Sequence, residues 1–421
     1  MKRKTWSHVN HIPFIISLIF LVFIGTITLT GNSLSVSGAA EKSNEERRGN
    51  HKKSEWTKEK KKVRTAEVEN QYKRVGYYAG WAAYSGFQVS DIDASKLTHI
   101  NYAFSNISND GKITIGDPEV DGENFNQLKK LKEQHPHLKT LISVGGWTWS
   151  ENFSDVALTE ESRTIFAESV LEFIQKYGFD GVDLDWEYPV NGGQPGNINR
   201  PEDKQNYTLL LKKVRETLDA QSKKDGQEYL LTIAAGASIN HANNLELDKL
   251  HQYVDHVQLM TYDIHGEWDE LTGMNAPLKQ DPESGYHNDL SVEIAVETFI
   301  NNGVPADKLV MGLPFYGRMF KQVNNANNGL YQPFTGGGNS ISYAAIEAEY
   351  IGKNGYTRYQ EEDSQVPWLF NGSTFISYDD AISIGHKTDY LKSKGLGGAM
   401  MWELSHDPDE VLLTKVYEEL N

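Results

Sequence analysis

From about Gln71 onward, short apolar runs rich in β-formers alternate with longer stretches whose apolar residues recur at helical spacing. The runs fall at residues 75–78, 99–103, 139–143, 181–185, 230–234, 256–261, 309–313 and 398–402. Their length and their β-branched content predict strands. Residues 160–177 and 204–221 carry the amphipathic helical pattern. Strands alternating with helices predict a parallel sheet, and eight of them predict a closed (β/α)8 TIM barrel, an α/β fold. A doubly wound open sheet is the competing arrangement, but no Gly-rich phosphate fingerprint follows the first run.

Between the seventh and eighth runs the chain is too long for one crossover. It holds strand-like and helix-like pieces of its own, including 342–350 and 374–377. A small α+β insertion over 319–379 is therefore expected, within a catalytic barrel spanning 71–421. Such an insertion would wall one side of the groove at the barrel mouth.

Ahead of the barrel the pattern differs. Lys2, Arg3 and Lys4 precede an almost unbroken apolar run at 12–24, and small residues follow, with Ser37-Gly38-Ala39 offering a cleavage site. Residues 1–39 are read as a signal peptide, which implies secretion and no stable membrane association once it is removed; an uncleaved anchor is the competing reading. Residues 40–70 are almost wholly charged and polar, too poor in apolar surface to offset chain entropy, and are expected to form a disordered linker.

Charge separates the two parts. Residues 1–70 carry 13 Lys and Arg against 7 Asp and Glu, whereas the remainder carries 28 against 51. An acidic body argues against nucleic acid as a partner, because phosphate binding needs a basic surface. An uncharged polymer is not repelled. The chain has no cysteine, so it has neither a disulfide framework nor a thiolate metal site. Its histidines show no zinc-binding pair, and no metal or cofactor is expected.

The chemistry concentrates in Asp180-Gly-Val-Asp183-Leu-Asp185-Trp-Glu187-Tyr188-Pro189. Side chains alternate faces along a strand, so Asp183, Asp185 and Glu187 point one way and Val182, Leu184 and Trp186 the other. Three acids on one face repel each other and resist desolvation, which keeps at least one protonated near neutral pH. A neutral carboxylic acid is what expels a glycosidic leaving oxygen. Glu187 comes last and so lies nearest the C-terminal mouth, where barrel active sites form. A solvated acidic edge would not alternate with apolar residues, and a calcium loop needs other spacings. Asp180 has the opposite parity and is expected to shape the strand entry.

This run is similar to the DxxDxDxE signature of family 18 glycoside hydrolases, and the chain from about 72 to 421 resembles a bacterial chitinase of that family. Ser143-Val-Gly-Gly146-Trp147 resembles the family's third-strand motif and Gln258-Leu-Met260-Thr-Tyr262-Asp263 its sixth. Gly312-Leu-Pro-Phe-Tyr316-Gly317-Arg318 and Gly397-Gly-Ala-Met-Met-Trp402-Glu403 resemble the last two.

The resemblance implies roles. Glu187 protonates the scissile oxygen, and the substrate's own acetamido oxygen is the nucleophile. Asp185 orients the acetamido N–H, Asp183 shares a proton with Asp185, and Tyr262 hydrogen-bonds the attacking oxygen. Gly146, Met260, Asp263, Arg318, Tyr188, Phe104 and Tyr316 line or support the central subsites. Trp402 floors the central sugar, Trp147 and Trp268 serve the leaving-group side, and Tyr77 and Trp81 serve the other. Tyr378 of the insertion is a further sugar contact. Chitin or chitooligosaccharides are the implied substrate, and a monomer is expected. An endo-β-N-acetylglucosaminidase on glycans or peptidoglycan, and a non-catalytic chitin-binding lectin, stay open as alternatives.

Overall fold

The computed structural model describes residues 72–284 and 290–421. The expected signal peptide and linker lie outside the described residues.

Eight parallel strands close into a ring. They are β1 (Lys73–Ala79), β2 (His99–Ile107), β4 (Lys139–Gly145), β5 (Gly181–Asp185), β6 (Leu230–Gly236), β7 (His256–Met260), β8 (Leu309–Pro314) and β14 (Gly398–Trp402). β1 pairs with both β2 and β14, which closes the sheet. A short β3 (Ile113–Thr114) pairs antiparallel on β2. Each of the eight apolar runs holds a barrel strand, and several extend beyond the run; β2 continues to Ile107. Among the described residues no helix is long and apolar enough to cross a membrane.

The helix expected at 160–177 forms as Glu160–Tyr177. Thr159 caps it in a reciprocal pair with Ser162, and Gly178 ends it in the left-handed region at φ 76°. The second expected helix is longer than its pattern, Asp203–Asp225, and also ends on a left-handed glycine, Gly226.

Strand parity sorts the core into two layers. Val182, Leu184 and Trp186 face out and join the large cluster between sheet and helices. Trp186 stacks on Phe153 at 5.3 Å and meets Tyr207 edge-on at 5.1 Å. Inside the barrel, Val75, Tyr77, Ala103, Val310 and Met400 form a small apolar cluster below Phe104, Met260, Tyr262 and Trp402.

The insertion is a five-stranded antiparallel sheet: β9 (Tyr316–Lys321), β10 (Gly338–Ser342), β11 (Thr357–Gln360), β12 (Pro367–Phe370) and β13 (Thr374–Ser377), ordered β10-β9-β13-β12-β11. It begins at Tyr316, three residues before the expected boundary. The barrel strand stops at Pro314, and the Phe315 N–H turns to donate to the Trp402 carbonyl (2.8 Å), so Tyr316 and Arg318 belong to the insertion. The piece expected at 342–350 is a helix, Tyr343–Glu349, capped by Ser342.

At the opposite end of the barrel, His99 and His256 begin β2 and β7 and meet edge-on at 5.5 Å. Both ring nitrogens of His256 are buried without a hydrogen-bond partner. Burial, reinforced by Lys73, lowers the proton affinity of both rings, that of His99 to about 4 and that of His256 further. An unfolded histidine protonates near 6.5. Below that pH the unfolded chain holds more protons than the folded one, so stability falls as pH drops from about 6.5 toward 4. We expect His256→Leu to flatten this loss, read as unfolding midpoint against pH. An unchanged slope would show that other groups govern acid stability.

Candidate active site

The acidic strand delivers its side chains to the barrel interior and mouth. Asp183 is wholly buried and Asp185 is 4% exposed, whereas Glu187, just past the end of β5, is only partly buried. The Glu187 backbone is fixed from both sides. Its N–H donates to Ser150 Oγ (2.9 Å), and its carbonyl accepts from Asn197 Nδ2 (3.0 Å). The Ser150 hydroxyl donates to the Gly146 carbonyl (2.8 Å), and the Gly146 N–H donates to the Asp185 carbonyl (2.8 Å). Gly145 and Gly146 take φ of 101° and 68°, which lets the third-strand turn lie flat against β5. The peptide bonds Ala103–Phe104, Glu187–Tyr188 and Trp402–Glu403 are cis.

Asp183 is the centre of a polar network. Oδ1 accepts from Thr232 Oγ1 and Gln258 Nε2, and Oδ2 from the Tyr77 phenol and Ser143 Oγ, all at 2.7 Å. Asn101 Nδ2 donates to Gln258 Oε1 (3.0 Å), so six barrel strands contribute. Burial pushes the Asp183 carboxyl above its ordinary range, and the four hydrogen bonds oppose that push. Each Asp183 oxygen thus meets two partners in this arrangement. Asp183 lies beneath the cavity and supports the site from below.

Asp185 Oδ1 is buried and has no hydrogen-bond partner. Burial, then the charges of Glu187 and Asp183, drive the Asp185 carboxyl well above its ordinary range. Burial also raises Glu187 to about 7; the Tyr188 phenol opposes this, and Asp263 adds to it. Two carboxyls this close do not both ionise near neutral pH, so they hold at least one proton between them. Burial and the same acids hold the Tyr262 phenol well above its usual range, so it stays a neutral donor. Its hydroxyl lies 3.8 Å from Met400 Sδ.

Above these groups opens a cavity of about 860 Å³. Of the expected residues, Tyr77, Trp81, Phe104, Trp147, Asp185, Glu187, Tyr188, Met260, Tyr262, Asp263, Trp268, Tyr316, Arg318 and Trp402 line it. Trp402 stacks on Phe104 at 5.7 Å and 22°, with Trp81 at 6.4 Å and Tyr77 at 5.4 Å from Trp402. Trp81, Trp147 and Trp268 are about half exposed, unusual for tryptophan and suited to apolar ligand faces. Asp263 takes φ 55°, its N–H donating to Asn275 Oδ1 (3.0 Å). Its carboxylate accepts from the Tyr316 phenol (2.6 Å) and from Arg318 Nη2 (2.6 Å), and Arg318 also pairs with Glu267 (3.2 Å) and lies 4.7 Å over the Trp268 ring.

Two expectations are corrected. Gly146 does not line the cavity; it packs beneath Phe104 and shapes the turn, and its neighbour Gly145 is the lining residue. Tyr378 is 1% exposed and borders a separate depression. Asp180 lies at the strand entry, accepting from the Thr140 N–H (2.7 Å) and pairing with Lys132 (2.6 Å). Thr148, Trp149, Ala234, Gly236, Ala237, Ser238, His241, Glu267 and Leu290 also line the cavity. Most sit in loops after strands, where no periodicity marks them. Among the described residues, Asp281, Glu361 and Asp363 form one group with spacing for a cation, and none of them lines the cavity.

A family model described as "Glycosyl hydrolases family 18" matches residues 73–407. The chain is 48% identical over 415 residues to Chitinase A1 of Niallia circulans, covering 85% of this chain and 59% of that protein's length. Among solved structures, Chitinase ChiA74 from Bacillus thuringiensis aligns with a TM-score of 0.78 at 42% identity, over 83% of this chain and 70% of that one. A family 18 N-acetylglucosaminidase from Paenibacillus barengoltzii aligns at 0.76 and 41%, over 83% of this chain and all of that one.

The Asp183 network makes a stability prediction. Tyr77→Phe removes one of four donors to a buried carboxylate and is expected to cost about 1–3 kcal/mol, read as a lower urea midpoint at unchanged slope. A midpoint within error of the parent would mean that the phenol adds nothing to the network.

Proposed function

The chain belongs to family 18 of the glycosyl hydrolases, and from that premise we propose that it is a chitinase, cleaving β-1,4 links between N-acetylglucosamine units with retention. One observation carries the reading. Glu187, raised to about 7 and partly open to the cavity, stands beside Asp185, whose buried Oδ1 has no partner. The first is a proton donor at working pH, and the second is an acceptor waiting for a substrate N–H.

Glu187 gives its proton to the glycosidic oxygen as the C1–O bond breaks. The acetamido oxygen of the same sugar attacks C1 and closes an oxazolinium ring, so no protein carboxylate bonds to the sugar. Asp185 accepts the acetamido N–H and offsets the positive charge of the ring. The neutral Tyr262 phenol donates to the acetamido oxygen and aligns it for attack. Water then adds to C1, Glu187 takes the water's proton, and the ring reopens to the acetamide.

The wall of tryptophans supports a polysaccharide ligand, since pyranose rings present flat C–H faces to aromatic planes. The stack of Trp402 on Phe104 forms a floor directly beside the acids. A polymer of this kind does not cross a membrane, which supports action outside the cell, in keeping with the export signal expected at 1–39.

Two outcomes are expected. Glu187→Gln keeps the shape of the acid but cannot donate its proton, and should lower kcat on chitooligosaccharides by about 100-fold or more while binding persists. Near-parental turnover in that variant would end the mechanism, and binding without product release by the parent chain would leave a lectin. Products of chitohexaose, with anomers resolved, should appear first in the β form. A thiazoline mimic of the oxazolinium should inhibit; recovery of a glycosyl ester on a protein carboxylate would show another nucleophile.

A further inference from the structure

His241 and Tyr188 lie face to face, ring centroids 3.9 Å apart at 20°. This is the closest aromatic pair recorded among the described residues. Three local features enforce it. Ser238 caps the short helix Ile239–Asn243 and accepts from the His241 N–H (3.1 Å), fixing where the ring departs. Gly236, at the end of β6, lies against both rings: a Cβ there would collide with His241 Nδ1 and come within 2.9 Å of Tyr188 Cε1. On the other flank Gly192, at φ 88°, leaves 3.5 Å between its Cβ position and Tyr188 Cδ2 and 3.7 Å to His241 Nε2. His241 Nδ1 is buried without a partner, and burial keeps the ring neutral. With Nδ1 unpartnered, the contact the ring makes with Tyr188 is through its flat face.

Resting on the chitinase reading above, we propose that His241 is a positioning residue. By stacking on Tyr188 it fixes that phenol beside the Glu187 carboxyl and so holds the acid in its donating orientation. Tyr188 follows Glu187 directly, and its backbone has no regular secondary structure to fix the ring. The stack supplies that restraint. The charged and titratable groups around Glu187 are Asp185 on β5, Tyr262 and Asp263 beyond β7, and Tyr188 itself. Of those acting on Glu187, Tyr188 is the one that draws its proton affinity down. If the phenol swings away, the carboxyl holds its proton to higher pH.

The test compares His241→Ala with His241→Phe, the latter keeping a flat ring. In kcat/KM against pH on chitooligosaccharide, His241→Ala should move the alkaline limb up by about half a pH unit or more and lower kcat severalfold. His241→Phe should restore both. An unmoved limb in His241→Ala, or the same displacement in both variants, overturns the proposal. Should His241→Ala fail to fold, Tyr188→Phe takes its place. It keeps the stack, loses the phenol and should shift the limb in the same direction, while His241→Phe leaves it in place; no shift in Tyr188→Phe overturns the proposal. Direct titration of the Glu187 carboxyl by 13C NMR needs no substrate. A shift there in a chain that leaves chitooligosaccharides intact would sink the chitinase reading and keep the positioning role; no shift in an active chain would do the reverse.

Discussion

A carboxylate buried on the axis of a closed barrel is affordable only if the barrel supplies its solvation. Asp183 receives that from donors on β1, β4, β6 and β7, with Asn101 on β2 buttressing the Gln258 amide. Counting β5 itself, six strands take part in this network, and the two that do not, β8 and β14, give Val310 and Met400 to the apolar cluster inside the barrel. The network ties strand closure to the placement of β5, because losing the register of any contributor leaves a buried acid short of a partner.

From that anchor the strand rises toward solvent, and environment changes along it. Asp183 is saturated, Asp185 is buried with an oxygen to spare, and Glu187 reaches the cavity. Three identical functional groups thus hold three different protonation tendencies within five residues. Low dielectric and mutual repulsion favour a proton at the top of this column, and at the bottom four hydrogen bonds oppose the upward push of burial on Asp183. The surroundings of Glu187 then refine its behaviour: Asp263, itself held by Tyr316 and Arg318 from the insertion, pushes toward the acid form, while Tyr188 pulls the other way. The insertion is therefore coupled to the acid through Asp263 as well as walling the groove.

Much of this was legible along the chain. The eight apolar runs located eight barrel strands, and the period-2 acids announced their own face, because alternation is a property of any extended backbone. The aromatic and acidic residues of the other strand-end motifs were legible through the family resemblance of those motifs, not through periodicity. What escaped was of another kind. Ser238 and Glu267 lie outside strand and helix, and His241 sits on a five-residue helix just after β6, where no strand period sets side-chain direction; their arrival at the cavity depends on where the chain is carried after each strand. Gly146 was misplaced by one residue, since the turn that presents Gly145 to the cavity is set by a hydrogen bond to β5 that no local pattern encodes.

The sequence by itself determined the strand spacing, the two faces of the acidic strand, the order of acids from floor to mouth and the absence of thiol chemistry, all consequences of chain stereochemistry and composition. Only the tertiary structure decided which donors meet Asp183, that the insertion begins at Tyr316, and that His241 lies against Tyr188. Those contacts join residues tens to hundreds of positions apart, and strand order, register and loop path bring them together, none of which is written in any local window.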